Sequence, residues 1–270
     1  MSDLLAFIGG GNMARSLISG LIAAGTDPAS IRASDPVAAQ RAAVEHLGVT
    51  SFDDNNRAVA DAALVVLAVK PQAMAAVVAA LELPTRPLVI SIAAGVPVHA
   101  LQRWLPDGTP IVRCMPNTPA LLGAGITGMY APDGVGASHR AAAEAVLGAA
   151  GKTLWVLEEA QLDAVTAVSG SGPAYFFYLM EAMIEAGVSL GLDRESARLL
   201  TLETAYGAAR MAREGADAPD RLRTNVTSPG GTTERALSIL DAAGARQTVQ
   251  SAVAGAAQRA RELAEEFGRP

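Results

Sequence analysis

The chain has 270 residues, half of them hydrophobic but only 4% aromatic, and a formal net charge of −6. That length suits two domains with cores built from Ala, Val, Leu and Ile. Its scattered Arg and Lys form no basic stripe for a phosphate backbone, so nucleic acid is not expected as a partner.

No apolar run approaches the roughly 18 residues of a membrane span. The N-terminus lacks the basic-then-apolar pattern of a secretory signal, and a cytoplasmic protein without a membrane partner is expected. The single cysteine, Cys114, cannot form an internal disulfide, which fits a reducing compartment. It reads as a small buried hydrophobe on a strand.

Between residue 4 and about residue 157, short apolar runs alternate with stretches of helical period. The runs are LLAFI (4–8), SIRAS (30–34), ALVVLAV (63–69), PLVISI (87–92), PIVRCM (110–115), GAGITGMY (123–130) and TLWVL (153–157). Strands buried on both faces read as unbroken apolar stretches, and intervening helices make them parallel. The pattern predicts a doubly wound α/β domain over residues 1–160.

The first run passes into GGGNMA, which places Gly9, Gly11 and Ala14 in the G-x-G-x-x-G/A arrangement between a predicted strand and a predicted helix. Gly9 permits the tight turn and Gly11 leaves room for a pyrophosphate beside the backbone. Ala14 lets helix and strand pack closely, while the helix N-terminus faces the phosphates. A second strand ending in Ser34 and Asp35, about twenty residues on, completes the pattern for a dinucleotide. Asp35 can accept hydrogen bonds from the adenosine ribose and repel a 2′-phosphate, which favours NADH. Ser34, the Asn55–Asn56 pair and Arg32 or Arg41 can donate to that phosphate, so the charges leave both coenzymes open.

After about residue 158 the strand signal ends, and residues 161–270 read as an all-helical domain. PAYFFYLMEAMIEAGVSLGL, RESARLLTLETAYGAARMAREG and TERALSILDAAGARQTVQSAVAGAAQRARELAEEFG have helical period and length, with Pro173 and Gly187 or Gly191 as punctuation. Residues 174–190 carry only Glu181 and Glu185 as charges, so this helix is apolar around most of its circumference and needs cover on more than one side. A small helical domain supplies too little, which predicts a second copy of the chain against it. The two glutamates read as the remaining solvated edge.

CMPNTPAL (114–121), VSGSGPAYFF (168–177) and TNVTSPGGTTERAL (224–237) concentrate Gly, Pro and small hydroxyl residues, and the last two are expected to lead directly into helices. Free N–H groups at a helix N-terminus, helped by Ser and Thr hydroxyls, suit a small carboxylate, and such residues equally serve plain N-capping. His46, His99 and His139 are scattered without metal-ligand spacing, so no metal is expected. Ser171, in S-G-S-G-P, fails the G-x-S-x-G pattern at both outer positions. SPGGTT lacks the lysine of a phosphate-binding P-loop. The only lysines are Lys70 and Lys152, so the helical half offers none as a general base on an alcohol.

Together FIGGGNMA, AVKPQ, SIAAGV, RCMPNTPA, DAVTAVSGSGPAYFF and VTSPGGTTERAL resemble pyrroline-5-carboxylate reductase, over about residue 4 to about residue 265. SGSGPAY and TSPGGTT are the specific part of the likeness. The resemblance implies an N-terminal Rossmann domain and a helical C-terminal domain that interlocks with a partner's in a homodimer, in some members assembled into decamers. It implies hydride transfer from NAD(P)H to the C=N carbon of 1-pyrroline-5-carboxylate, giving L-proline. Members use NADPH, NADH or both, and the resemblance tilts the choice towards NADPH.

Carried over to this chain, the resemblance assigns Gly9, Gly11, Asn12 and Met13 to the pyrophosphate, and Ser34 and Asn56 to the adenosine ribose region. Ala68, Val69, Lys70 and Pro71, with Ala94 and Gly95, would line the path to the nicotinamide, and Asn117 and Thr118 would sit beside it. Asn225, Ser228, Gly231, Thr232 and Thr233 would form the substrate loop, their backbone N–H groups on the carboxylate. Thr233 is the first candidate for a hydrogen bond to the ring nitrogen, and Ser171 the second.

A cyclic imine with a protonated nitrogen is already electrophilic at carbon, so the step needs orientation and exclusion of water rather than a strong base or a metal. Another imine reductase is a near alternative. A β-hydroxyacid dehydrogenase would need a helical-domain lysine that is missing here. A non-catalytic NAD(P)-binding sensor would have no use for a carboxylate-binding loop.

Overall fold

A computed structural model describes residues 4–269. They form two compact units: one runs to Ser171 and resumes at Gly255, and the other is Gly172–Ala254.

The first unit alternates strands and helices: β1 Leu5–Ile8, α1 Asn12–Ala23, β2 Ile31–Ser34, α2 Ala38–Glu45, β3 Thr50–Phe52, α3 Asn55–Val59, β4 Leu64–Leu67, α4 Pro71–Ala79, β5 Leu88–Ser91 and α5 Val98–Trp104. It continues with β6 Ile111–Met115, β7 Gly125–Tyr130, α6 Ala137–Gly148, β8 Gly151–Trp155 and α7 Gln161–Val165. One eight-stranded sheet results, in the order β3-β2-β1-β4-β5-β6-β7-β8.

All neighbouring strands are parallel except β6 and β7, which run antiparallel. The expectation of a wholly parallel sheet is corrected there. The link between those two strands is a short 3-10 turn, Thr118–Leu122, and a connection without a crossover helix reverses the chain. Strand β3 has no counterpart among the predicted runs. Its three residues lie at the sheet edge, and none is buried, so they carry no apolar run to detect.

Strands β1, β4 and β5 are buried at every residue. Alternate side chains feed two cores, one on each face of the sheet. Phe7, Leu17, Ile18, Ile90 and Met129 lie in one, and Ile8, Leu67, Met74, Val89 and Leu101 in the other. Cys114 belongs to the first. Burial pushes its thiol far above the ordinary range, against the pull of neighbouring Arg113, so it stays protonated.

The second core is edged by charge. Arg113 Nη1 lies 2.8 Å from Glu159 Oε1, and the same oxygen accepts the Val98 N–H at 2.7 Å. Asp163, only 8% exposed, stands near this pair. Burial raises its pKa, opposed by the charges of Arg113 and Arg261.

The second unit comprises α8 Gly172–Ser189, α9 Arg194–Glu214, α10 Pro219–Asn225, α11 Thr232–Ala242 and the first turns of α12, Ala245–Gly268. The helical stretch after residue 232, expected unbroken, divides at Gly244, whose φ of +70° ends one helix in the left-handed region. Helices α8 and α9 approach where Gly187 lacks a side chain, a Cβ there lying 3.1 Å from that of Ala197.

Among the described residues of this unit only Gly172, Ala197 and Thr201 are buried. Phe176, Phe177, Tyr178 and Leu179 on α8 and Leu199, Leu200 and Tyr206 on α9 are each more than half exposed. So much apolar surface marks an interaction face.

Candidate coenzyme and substrate sites

The turn after β1 is built from contacts that side chains would block. Gly9 has a φ of +104°, and a Cβ there would lie 2.7 Å from the Ala68 carbonyl oxygen. Its N–H donates to the Ser34 carbonyl at 2.8 Å. Gly11 caps α1 with no side-chain hydrogen bond, and a Cβ there would meet nothing within 4 Å. No side chain therefore caps the N-terminus of α1, the arrangement that a pyrophosphate needs. Asn12 and Met13 are the first residues of that helix, and the Asn12 side chain accepts from the Arg15 guanidinium.

At the end of β2 the Ser34 hydroxyl donates to Asn55 Oδ1 at 2.7 Å, and Ser34 is 1% exposed. Asn56, paired with Ser34 in the expectation, turns its amide elsewhere. Its Nδ2 donates to the Ala80 carbonyl at 3.1 Å and its Oδ1 accepts from the Glu82 N–H at 2.9 Å. Adjacent residues on a helix point about 100° apart, so only one of the pair can face Ser34. Arg41 donates to the Asp35 and Pro36 carbonyls at 2.8 and 3.1 Å, and Arg32 to the Ala60 carbonyl at 3.1 Å.

Beyond the turn lies a cavity of about 270 Å³ that brings together Met13, Ala68, Val69, Asn117 and Thr118. Ile92, Met115, Pro116 and Gly170 complete its lining. Lys70 and Pro71 begin α4 outside that lining. Ala94 is not among the lining residues either, and Gly95 is packed under the last helix: a Cβ there would lie 2.9 Å from that of Leu263. For Gly95 the structure shows a packing role.

Asn117 is 9% exposed. Its Oδ1 accepts the Ile126 N–H at 2.9 Å and its Nδ2 donates to the Ser169 carbonyl at 3.2 Å. Ser169 belongs to a π-helical segment, Thr166–Gly170, directly after α7. VSGSGPAYFF leads into α8 as expected, but through a π-helical continuation of α7 and not from a free helix N-terminus. Ser171 keeps right-handed helical backbone angles, and its N–H donates to the Thr166 carbonyl at 2.8 Å, so it opens no helix N-terminus. The Thr166 and Ser169 hydroxyls bond back to the Leu162 and Val165 carbonyls at 2.8 and 2.9 Å, a pattern that accompanies bending of a helix.

In the second unit α10 ends at Asn225 and α11 begins at Thr232. Gly230, at a φ of +71°, turns the chain between them. Its N–H donates to Glu234 Oε2 at 2.7 Å, and the Gly231 N–H donates to the Ser228 carbonyl at 3.0 Å. Gly231 caps α11 without a side-chain bond, which leaves the N–H groups of the first turn at an open helix end. Asn225 is held by Asp217, 3.3 Å from its Nδ2. Thr232 is exposed and Thr233 half-buried.

Four residues of the cavity lining escaped the sequence reading: Ile92, Met115, Pro116 and Gly170. All four lay inside motifs quoted above, Ile92 in SIAAGV, Met115 and Pro116 in RCMPNTPA and Gly170 in SGSGPAY, and Asn55 was named there only together with Asn56. Arg113, a charge within an apolar strand, was the legible signal for the part-buried ion pair with Glu159. Among the described residues no three His, Cys, Asp or Glu side chains group as metal ligands. No described helix is long and apolar enough to cross a membrane.

Comparison with known proteins agrees along the whole chain. Residues 159–263 match the family profile for pyrroline-5-carboxylate reductase dimerisation, and residues 4–95 match that for NADP oxidoreductase, coenzyme F420-dependent. A pyrroline-5-carboxylate reductase of Pseudomonas aeruginosa is 54% identical over 267 residues, covering 98% of each chain. The solved reductase of Coxiella burnetii superposes with a TM-score of 0.91 at 43% identity, covering 97% of this chain and 99% of that one. A Plasmodium falciparum pyrroline carboxylate reductase, solved with NADP bound, gives a TM-score of 0.86 at 27% identity, covering 97% and 98%. An open glycine turn, a cavity beside it and full-length likeness at this identity have one common explanation: the chain belongs to the pyrroline-5-carboxylate reductase family.

Proposed function

We propose that this protein reduces 1-pyrroline-5-carboxylate to L-proline with NADPH, and accepts NADH less well. The observation that carries the reading is the cavity in which Met13, from the glycine turn, meets Asn117 and Thr118 of the MPNTPA motif. The bound NADP of the Plasmodium falciparum relative supports the choice of coenzyme. So does Asp35, whose carboxylate accepts the N–H groups of Gly10 and Val37 and thereby turns part of its charge towards the backbone.

When bound, the reduced coenzyme supplies a hydride to the C=N carbon of the protonated imine. That carbon gains the hydride with its electron pair, the C=N π pair returns to nitrogen, and the nitrogen keeps its proton. The residues of this chain bind and orient. Gly9, Gly11, Asn12 and Met13 hold the pyrophosphate through backbone N–H groups at the start of α1. Ser34, with Asn55 or the backbone of Asn56, meets the adenosine ribose region. Ala68, Val69 and Thr118 form walls that exclude water around the nicotinamide, with Lys70, Pro71 and Ala94 nearer the approach to it.

Ser228, Gly231, Thr232 and Thr233 take the substrate carboxylate at the open end of α11, with Asn225 bracing the loop. The Thr233 hydroxyl is the partner for the ring nitrogen, and Ser171 the second candidate. In domain terms residues 1–160 bind coenzyme, with Gly170 added to its cavity wall, and the helical part of 161–270 binds substrate and dimerises. A second copy covers α8 and α9, and decamers are the larger assembly that the family form implies. The cytoplasm is the proposed location.

An initial-rate assay with the imine and each reduced coenzyme tests this directly. Imine-dependent oxidation of NADPH is the expected result, and its absence would overturn the reading.

A further inference from the structure

Asn117, itself in the cavity lining, ties each end of its amide to the protein: Oδ1 accepts from Ile126 of β7 and one N–H of Nδ2 donates to Ser169 of the π-helical segment. The second bond answers a need created by the sequence. Past the π-helical segment the chain resumes the α-helical register at α8, and in that register the Ser169 carbonyl would accept from the residue four on, Pro173, which has no N–H. An amide reaching from the β6–β7 connection supplies the donor instead. The next residue, Gly170, forms part of the cavity wall. Its bare backbone lies so close to Met115 that a Cβ would come within 2.5 Å of Cε. A shift of this segment therefore moves the wall.

We propose that Asn117 is a positioning residue: by donating to the carbonyl that Pro173 leaves without a helical partner, it clamps the π-helical segment and so fixes the Gly170 wall of the coenzyme cavity. It acts on turnover through that wall and not by reading the coenzyme. The inference rests on the cavity being the nicotinamide site.

The test is a double-mutant cycle in the full-length protein. Asn117→Asp keeps the acceptor for Ile126 but sets an oxygen against the Ser169 carbonyl, and Pro173→Ala returns an N–H to that carbonyl. With Pro173 in place, N117D lowers kcat at least about tenfold and leaves the NADPH dissociation constant within about threefold; combined with P173A, its effect on kcat shrinks to about threefold or less. Hydrogen exchange of peptides covering residues 161–175 quickens in N117D and slows again in the double variant.

Loss of NADPH affinity matching the loss of kcat, with no relief from P173A, would show instead that Asn117 touches the coenzyme. Unchanged exchange at 161–175 in N117D would overturn the clamp. If N117D does not fold, Asn117→Ala takes its place in the same cycle with the same expected pattern. Should the wild-type protein fail to reduce the imine, the functional reading falls, while exchange and NADPH affinity still decide for or against the clamp.

Discussion

Asp35 holds Gly10: one carboxylate oxygen accepts the Gly10 N–H at 2.8 Å while the other accepts the Val37 N–H at 2.8 Å. An acid at the end of the second strand thus shapes the phosphate turn, whatever it offers to a ribose. Asp35→Ala is expected to weaken NADPH and NADH alike, by about tenfold for one lost charge-assisted hydrogen bond. Fluorescence titration with both coenzymes checks this. A gain for NADPH alone would show that Asp35 acts by repelling the 2′-phosphate.

Gly9→Ala brings two penalties together, a left-handed φ and a Cβ 2.7 Å from the Ala68 oxygen. Strain alone costs about 1–3 kcal/mol, before the clash. Thermal melting should show the loss, with NADPH binding abolished or weakened at least about a hundredfold as the turn opens. Wild-type affinity in G9A would show that the turn bends freely.

Thr233→Val removes a hydroxyl and keeps the shape. It should cut kcat/KM by about 10- to 100-fold, equivalent to about 1.4 to 2.7 kcal/mol, with coenzyme affinity unchanged. Steady-state kinetics with the imine decide it, and wild-type kinetics would remove Thr233 from the mechanism.

Asp163 should make stability depend on pH. Burial, its largest influence, raises its pKa in the fold above the ordinary 3.8, so the folded chain binds this proton more tightly than the unfolded chain. The resulting stabilisation is fully present below the ordinary value and is lost as pH rises through the raised one. Asp163→Asn mimics the protonated form. Its melting temperature should exceed that of the wild type at neutral pH, with the gap closing in acid near pH 3.8. A less stable variant at neutral pH would show that attraction to Arg113 and Arg261 outweighs burial.

Phe177 stands 57% exposed on α8. If a second copy buries it, Phe177→Glu forfeits about 1.5–3 kcal/mol of apolar burial and adds a buried charge. Sedimentation should show monomers at concentrations where the wild type is assembled. An unchanged mass would move the subunit contact elsewhere.

The legible parts of the fold were those with a single cause. Strands β1, β4 and β5 are covered on both faces, so their apolar runs had no other reading. Gly9 and Gly11 were legible because a missing side chain is itself a signal. What escaped depended on partners distant in sequence. The π-helical turn through Ser169 runs into Gly170 and Pro173, residues that signal a break, while the contact from Asn117 comes from more than fifty residues away in the chain. The reversal of β7 turned on a 3-10 link that composition does not distinguish from any other Pro-containing loop. Asn55 and Asn56 differ only by a step around a short helix, which no pattern of residue types encodes.

The sole cysteine, sealed in the sheet and kept in its thiol form, leaves the exterior chemically silent towards maleimides. A cysteine introduced on α8 or α9 would be the one group to take a dye or spin label, so distances between subunits could be read in solution without first stripping the protein of native reactive sites.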